Sequence, residues 1–380
     1  MSLRGSGRGA ERMVQDRTRP EGADQTAPVG RARRSRLGLF LPYILLALVV
    51  AGWSAGWLWM RERAAAEIDG WIAREASAGR TWTCADRSLG GYPFRLELRC
   101  SAVTLDRADG RFRLGPSTAV AQIYQPRLVV FESAGPFHVE QGALTGDASW
   151  SALQGSFHGA ADGFTRASLV VDNPDVTVKG AEPGPIAVAG RHLELHARPS
   201  PGRFDSDGAV DLSLRLNQAA VPQLDALTGT RDPVDLALDA SLTQATVLRT
   251  GTVARELERW RQAGGNLDLT ALSLAKGAQR VQAKGTLALD AAHRPAGQID
   301  LRAAGVDALV GSIVGQRFGS DRGALVGQLV GGLLGLAQRP NPDAPADATP
   351  LKALPPLRLV DGKVVFSGFP IPNVFVPALY

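Results

Sequence analysis

Two histidines and a glutamate occupy alternate positions in the segment His192-Leu-Glu194-Leu-His196. On a β-strand, alternate side chains project from one face, so both imidazoles and the carboxylate would converge. Nitrogen and oxygen ligands of this kind suit Zn²⁺. However, Leu193 and Leu195 make the opposite face the buried one and leave the polar trio on the solvent side. We therefore interpret the trio as a solvated strand face, with a metal site as the weaker hypothesis.

A second chemical pattern is Ser273-Leu-Ala-Lys276, the spacing of Ser-x-x-Lys hydrolases in which the lysine helps to activate the serine. That chemistry needs the serine at the start of a helix, whereas this serine lies in a strand pattern that leads into Gly277. The chain has no Gly-x-Ser-x-Gly elbow, no Walker loop and no Gly-x-Gly-x-x-Gly between a strand and a helix. We therefore predict that the protein is not an enzyme and needs no cofactor; a hydrolase is the least favoured alternative.

The chain has two cysteines, Cys84 and Cys100. The turn signal Gly90-Gly91 lies between them and is followed by a strand alternation that places the second cysteine among apolar residues. Trp82 and Cys84 share a face of the preceding segment. If the two segments pair as a hairpin, both sulfurs lie on the apolar side, and we predict a disulfide worth about 3 kcal/mol. Two buried thiols are the alternative, and the lack of Cys-x-x-Cys argues against redox chemistry.

Alternation of apolar and polar residues extends over most of the chain after residue 81. Segments 210–214 and 234–238 share the phrase Val-Asp-Leu-x-Leu, and Asp361-Gly362 marks a closing hairpin. Helical spacing is confined to residues 61–79, 252–262 and 306–337. The pattern predicts a mainly β fold with minor α. It forms either one large, curled antiparallel sheet or two β-rich lobes, with a few helices.

The apolar side of such a sheet can be arranged in two ways. An open, curled sheet would expose a groove suited to acyl chains, whereas a closed sandwich would pack the same side chains together. Periodicity does not distinguish the two. The residues that we expect to line a groove are Leu212, Leu214, Leu236, Leu238, Leu287 and Leu289.

Residues 37–60 are twenty-four consecutive residues without a charge, and four arginines lie at positions 31–36 just before them. A helix of this length crosses a hydrocarbon core of roughly 30 Å. The arginines favour a cytoplasmic N-terminus. A signal peptide has an apolar stretch of only 7–15 residues. Trp53, Trp57 and Trp59 also lie where an aromatic belt would meet the far interface. We therefore predict an uncleaved anchor.

The charge distribution argues against a nucleic-acid partner. The chain carries 42 basic and 37 acidic residues, and the whole excess of +5 lies in residues 1–36. We predict that this basic tail is disordered and cytoplasmic. It precedes a transmembrane helix at 37–60, a juxtamembrane helix at 61–80 and a periplasmic β-rich domain at 81–380.

The segment Gly91-Tyr92-Pro93-Phe94-Arg95, flanked by Cys84 and Cys100, resembles domain-of-unknown-function family 2125, a family of membrane-anchored envelope proteins of alphaproteobacteria. The resemblance covers most of the chain and implies a location and a fold but no reaction. Residues 267–309 more loosely resemble AsmA-like envelope proteins, which are N-terminally anchored, β-rich and associated with outer-membrane lipid homeostasis.

The combined expectation is a single-pass protein of the bacterial inner membrane with its C-terminal domain in the periplasm. Its expected partners are the membrane, crossed once, and a lipid-like molecule that the domain binds or guides in envelope homeostasis. The alternative is a periplasmic scaffold that contacts other envelope proteins.

Overall fold

The computed structural model describes residues 37–160, 163–180, 184–249, 251–305 and 350–380. The predicted tail of residues 1–36 and the predicted helix of residues 306–337 lie outside the described residues. The chain divides after Gly52 into two units. The first contains the start of the long helix, and the second contains the rest of that helix and all of the described strands.

Helix α1 (Leu37–Ser77) is continuous through the predicted boundary at residue 60. In the first unit, its large apolar side chains from Leu39 to Val50 are exposed. Among the described helices, it is the one long and apolar enough to cross a membrane, so it fits a membrane anchor. The helix ends just before Gly79, whose φ of 78° is the left-handed conformation that often terminates helices.

The described residues of the second unit form two antiparallel sheets. The small sheet has seven strands, in spatial order β1 (Arg80–Ala85), β4 (Ala102–Arg107), β5 (Gly110–Leu114), β8 (Phe137–Gln141), β9 (Leu144–Ser149), β12 (Asp175–Lys179) and β13 (Ile186–Ala189).

The large sheet has sixteen strands among the described residues. They are β2 (Ser88–Gly90), β3 (Arg95–Cys100), β6 (Ser117–Gln122), β7 (Gln125–Ser133), β10 (Ala152–Ala160), β11 (Gly163–Asp172), β14 (His192–Pro199), β15 (Val210–Ala219), β16 (Val234–Leu242), β17 (Leu267–Lys276), β18 (Gln279–Leu289), β19 (Pro295–Ala304), β21 (Leu357–Val360), β22 (Lys363–Phe366) and β23 (Phe369–Phe375), with β20 (Lys352–Ala353) beside β19.

The order along the chain explains how the sheets are built. From β2 to β13, successive hairpins alternate between the large sheet and the small one. The first half of the domain therefore contains both sheets, which we call its two walls. From β14 onward, the chain continues as a meander within the large sheet. Short helices α2 (Phe204–Asp207), α3 (Pro222–Thr228) and α4 (Val253–Gln262), and a 3₁₀ turn at Ala245–Val247, lie in the connections. The predicted mainly β, antiparallel fold class is confirmed.

The predicted hairpin between the two cysteine-bearing strands is wrong. Strand β1 pairs with β4, where Cys84 lies opposite Val103, and β3 pairs with β2 and β6, where Cys100 lies opposite Ser117. The short strand β2 follows the first cysteine and takes the place beside β3 that we assigned to β1. The predicted disulfide Cys84–Cys100 is nevertheless present.

The predicted closing hairpin is also confirmed. Asp361 and Gly362 have φ values of 52° and 71° and form the turn between β21 and β22. Positive φ at both positions is the geometry of a tight hairpin turn and explains the Asp-Gly pair. The strands with the repeated Val-Asp-Leu phrase, β15 and β16, are neighbours, with Leu214 opposite Leu238.

Candidate functional site

A continuous row of apolar residues crosses the large sheet. Directly opposed partners connect one strand to the next without a break through twelve strands, from β2 to β19. We call these residues the large-sheet row: Leu89, Leu98, Ala119, Phe131, Gly155, Leu169, Leu195, Leu214, Leu238, Leu272, Ala283 and Leu301. Since strands lie roughly 4.8 Å apart, the row is about 50 Å long.

The six leucines expected to line a groove lie on the same face as this row. Leu214 and Leu238 are members of the row, and Leu212 and Leu236 lie two residues from them on the same strands. Residues separated by an even number of positions on a strand share a face. The same rule places Leu287 and Leu289 on the face of Ala283 in β18.

A second apolar row crosses all seven strands of the small sheet. The small-sheet row consists of Cys84, Val103, Leu114, Phe137, Ala148, Val176 and Val188, again through directly opposed partners. Cys84 belongs to this row, and Cys100 lies two residues from Leu98 on the face of the large-sheet row. The bond between the two sulfurs therefore brings the apolar faces of the two sheets together at this point.

No side chain in either row is buried. Gly155 is buried, Leu195 is exposed and the other members are half-buried, while Phe157 on the same face remains 44% exposed. Facing side chains in the core of a closed sandwich interdigitate and lose contact with solvent. In the described residues, the side chains of the two rows are therefore accessible to solvent, although residues next to the large-sheet row on the same face, such as Cys100, Val171 and Ala303, are buried.

The turn Gly91-Tyr92-Pro93-Phe94-Arg95 connects β2 to β3 and holds helix α1. The indole nitrogen of Trp53 donates to the carbonyl oxygen of Pro93 at 2.9 Å, and that of Trp57 donates to the carbonyl oxygen of Arg95 at 3.1 Å. Gly91 has a φ of 101°, and a Cβ atom there would lie 2.7 Å from the carbonyl oxygen of Arg95. The glycine is therefore required by the tight backbone of this turn.

The same segment lies within a family match. The family DUF2125, described as uncharacterized protein conserved in bacteria, matches residues 57–374. The chain belongs to the DUF2125 family. No curated protein and no solved structure matches it, and the looser similarity to AsmA-like proteins stays a prediction.

In this DUF2125 protein, the trio His192, Glu194 and His196 lies on the polar face of the large sheet, opposite the apolar row. Both rings contact the carboxylate, at 2.9 Å from His192 Nε2 and at 3.3 Å from His196 Nε2. The other ring nitrogens contact Asp172 at 2.7 Å and Ser168 at 2.9 Å. Among the described residues, no group of three His, Cys, Asp or Glu side chains is arranged to hold a metal ion.

These contacts shift the pKa values of His192 and Glu194. The hydrogen bond to Glu194, followed by that to Asp172, raises the pKa of His192 above its usual value. In return, the hydrogen bonds from His192 and His196 lower the pKa of Glu194. The arrangement is a charged network on a solvated strand face.

A depression of about 660 Å³ lies on the polar face beside this network. Its lining includes His196, Arg198, Asp211 and Asp239. The lining groups bind one another or their neighbours: Ser241 donates to Asp211 at 2.7 Å, and Arg215 donates to Asp239 at 2.8 Å. The lining of the depression is mainly polar and includes Leu212, whereas the other five predicted groove residues are not part of it.

The two side chains of the Ser-x-x-Lys pattern do not lie together in the DUF2125 chain. Ser273 and Lys276 are three residues apart on β17, so their side chains point to opposite faces. The side chain of Lys276 is 1% exposed, and its Nζ donates to Asp225 at 2.6 Å and to the carbonyl oxygen of Asp232 at 2.5 Å. The lysine therefore holds α3 and the loop after it, and it is not placed to activate the serine.

Sequence reasoning missed the small-sheet row entirely. Its signal is nevertheless present in the DUF2125 chain as short alternations, Phe112 with Leu114 in β5 and Val176 with Val178 in β12. Strands this short carry few alternations each. Their common face emerges only when the pairing partners are known.

Proposed function

We propose that this DUF2125 protein is a single-pass inner-membrane protein whose periplasmic domain binds or guides lipid-like molecules between its two apolar faces, without catalysing a reaction. One observation carries the proposal: two unbroken apolar rows cross the two sheets, and none of their side chains is buried.

The apolar side chains of both rows remain partly exposed to water. Burying an apolar surface stabilises by roughly 25 cal/mol per Å², or about 0.8 kcal/mol per methylene group. An acyl chain laid along the rows would therefore gain several kcal/mol and would cover side chains that otherwise contact water. One leaflet of a bilayer core is about 15 Å thick, so a row about 50 Å long accommodates acyl chains in series.

Location and orientation are part of the proposal. The arginines at positions 31–36 favour an N-terminus in the cytoplasm, which directs the β domain to the other side of the membrane. The disulfide Cys84–Cys100 supports this orientation, because disulfides persist in oxidising compartments such as the periplasm.

We propose that the protein is not catalytic because its candidate catalytic side chains are bound to other residues. Lys276 holds Asp225 on the apolar side of β17, and both histidines of the trio bind Glu194. A scaffold that contacts envelope proteins is the alternative. It requires the apolar rows to be covered by protein, so it predicts that lipid is absent from the purified chain.

Native mass spectrometry of the full-length chain, released from mild detergent, tests the proposal. We expect co-purified phospholipid on the wild-type protein and most of it lost in Leu287→Arg, which places a charge on the apolar face. Gln282→Arg is the matched control, because Gln282 is exposed on the opposite face of the same strand. A lipid-free wild-type protein, or equal lipid on both variants, would overturn the proposal.

A further inference from the structure

Three large aromatic side chains are exposed on two adjacent turns at the start of the large sheet. Tyr92 and Phe94 lie in the β2–β3 turn and are 53% and 59% exposed, and Tyr124 in the β6–β7 turn is 69% exposed. The backbone nitrogen of Ile123 donates to the carbonyl oxygen of Phe94 at 3.0 Å, so the turns are held side by side. A cluster of exposed aromatic residues, unlike a single one, indicates an interaction surface.

The aromatic cluster contacts helix α1 near residues 53–57. The ring of Phe94 lies 5.9 Å from that of Trp53, and the ring of Tyr92 meets that of Trp57 edge-on at 5.4 Å. The hydroxyl of Tyr92 is also 2.9 Å from that of Ser54. Rings and hydrogen bonds together hold the turns beside one turn of the helix.

The length of the apolar segment places residues 53–57 of the helix at the edge of the bilayer core. The last charged residue before the apolar segment is Arg36, and a core of roughly 30 Å needs about 20 helical residues. The core therefore ends near residue 56, between Trp53 and Trp57. Tyrosine and tryptophan concentrate at this boundary because their rings are apolar and their polar groups remain hydrated.

We propose that the two turns at residues 91–94 and 123–124 insert their aromatic side chains into the interfacial layer of the far leaflet, so that the bilayer itself is the partner of this surface. The inference rests on the membrane anchoring in the proposed function but not on lipid binding along the rows. It places the first strand of the large-sheet row at the bilayer: Arg61 of the helix donates to the carbonyl oxygen of Leu89 at 2.9 Å.

A site-specific fluorophore tests the inference in the full-length chain, reconstituted in phospholipid nanodiscs with or without a mixture of lipids that carry a nitroxide either near the headgroup or in the middle of an acyl chain. The native cysteines form a disulfide, so a single introduced cysteine takes the label. Gln125→Cys reports the turn while keeping all three aromatic residues. Leu48→Cys reports the anchor. Ala108→Cys is the control, in an exposed turn of the small sheet beside Arg107, which lies opposite Arg80 past the far end of α1.

We expect the nitroxide lipids to remove most of the fluorescence at positions 48 and 125 and little at position 108. Quenching at position 48, with position 125 behaving like position 108, would overturn the inference and leave the anchor intact. No quenching at position 48 would overturn both the inference and the anchor. Neither result depends on whether lipid binds along the rows.

Discussion

Cys84 and Cys100 join two different sheets. Cys84 lies in β1 of the small sheet and Cys100 in β3 of the large sheet, and both belong to the apolar faces of their sheets. The bond therefore fixes the distance between the two walls where the chain first forms them, close after helix α1. A hairpin disulfide, as expected from the sequence, would have stabilised one sheet only.

Replacing both cysteines by alanine should lower the free energy of unfolding by about 3 kcal/mol, because the bond restricts a short loop of the unfolded chain. The cysteines are 16 residues apart. Urea unfolding of the full-length chain in detergent, followed by circular dichroism, measures the change. Wild-type protein kept in reductant should match the double variant. An unchanged unfolding free energy in both would show that the bond does not stabilise the junction of the walls.

The ion pair between Lys276 and Asp225 gives a second prediction. Asp225→Asn should destabilise the protein by about 3 kcal/mol, because it leaves the buried ammonium of Lys276 without its carboxylate. The double variant Lys276→Met with Asp225→Asn removes both charges and should recover much of that loss. Urea unfolding of the single and double variants forms the test. If Asp225→Asn is as stable as the wild type, the lysine is not held by this pair.

The raised pKa of His192 makes part of the stability depend on pH. Protonation of this ring stabilises the folded state. The contribution is therefore complete below the unfolded pKa of about 6.5 and is lost as the pH rises through the higher folded pKa. The stability difference between wild type and His192→Gln should shrink across that interval. Unfolding experiments at a series of pH values measure it.

The variant Glu194→Gln tests whether Glu194 causes the raised pKa of His192. Because Glu194 makes the largest contribution to the shift, its replacement should lower the titration midpoint of His192, measured by NMR. A His192 midpoint at or below 6.5 in the wild-type chain would contradict the proposed network.

The orientation of the chain is tested by a reporter enzyme that is active only outside the cytoplasm, fused after Tyr380. We expect activity in intact cells, because arginines at positions 31–36 favour a cytoplasmic N-terminus. The same reporter placed before residue 1 is the control and should be inactive. Activity confined to a cytoplasmic reporter at the C-terminus would contradict both the envelope location and the role of the disulfide there.

The sequence predicted which residues share a face better than which strands are neighbours. Period-two alternation assigned Leu214, Leu238 and Leu287 to one face, and the register agrees. Alternation contains no information about pairing partners, so the neighbour of the Cys84 strand was wrongly predicted. Pairing depends on contacts between residues that are distant in the chain, such as Cys84 with Val103.

The sequence also does not predict the contact between the turn at residues 91–95 and helix α1. The segment 91–95 carries the family resemblance, but its hydrogen bonds to Trp53 and Trp57 join residues about forty positions apart. Neither helical nor strand periodicity records such a contact. The sequence pattern assigns the tryptophans to a membrane belt alone, whereas Trp57 is buried against the turn.

Photo-crosslinking in living cells tests the central claim most directly. A benzophenone amino acid at position 238 lies on the large-sheet row, and the same probe at position 237 points to the polar face of the same strand. We expect ultraviolet light to attach phospholipid to the protein labelled at position 238 and not to the one labelled at position 237. No lipid adduct at position 238, or equal adducts at both positions, would contradict the proposal that the apolar faces carry lipid.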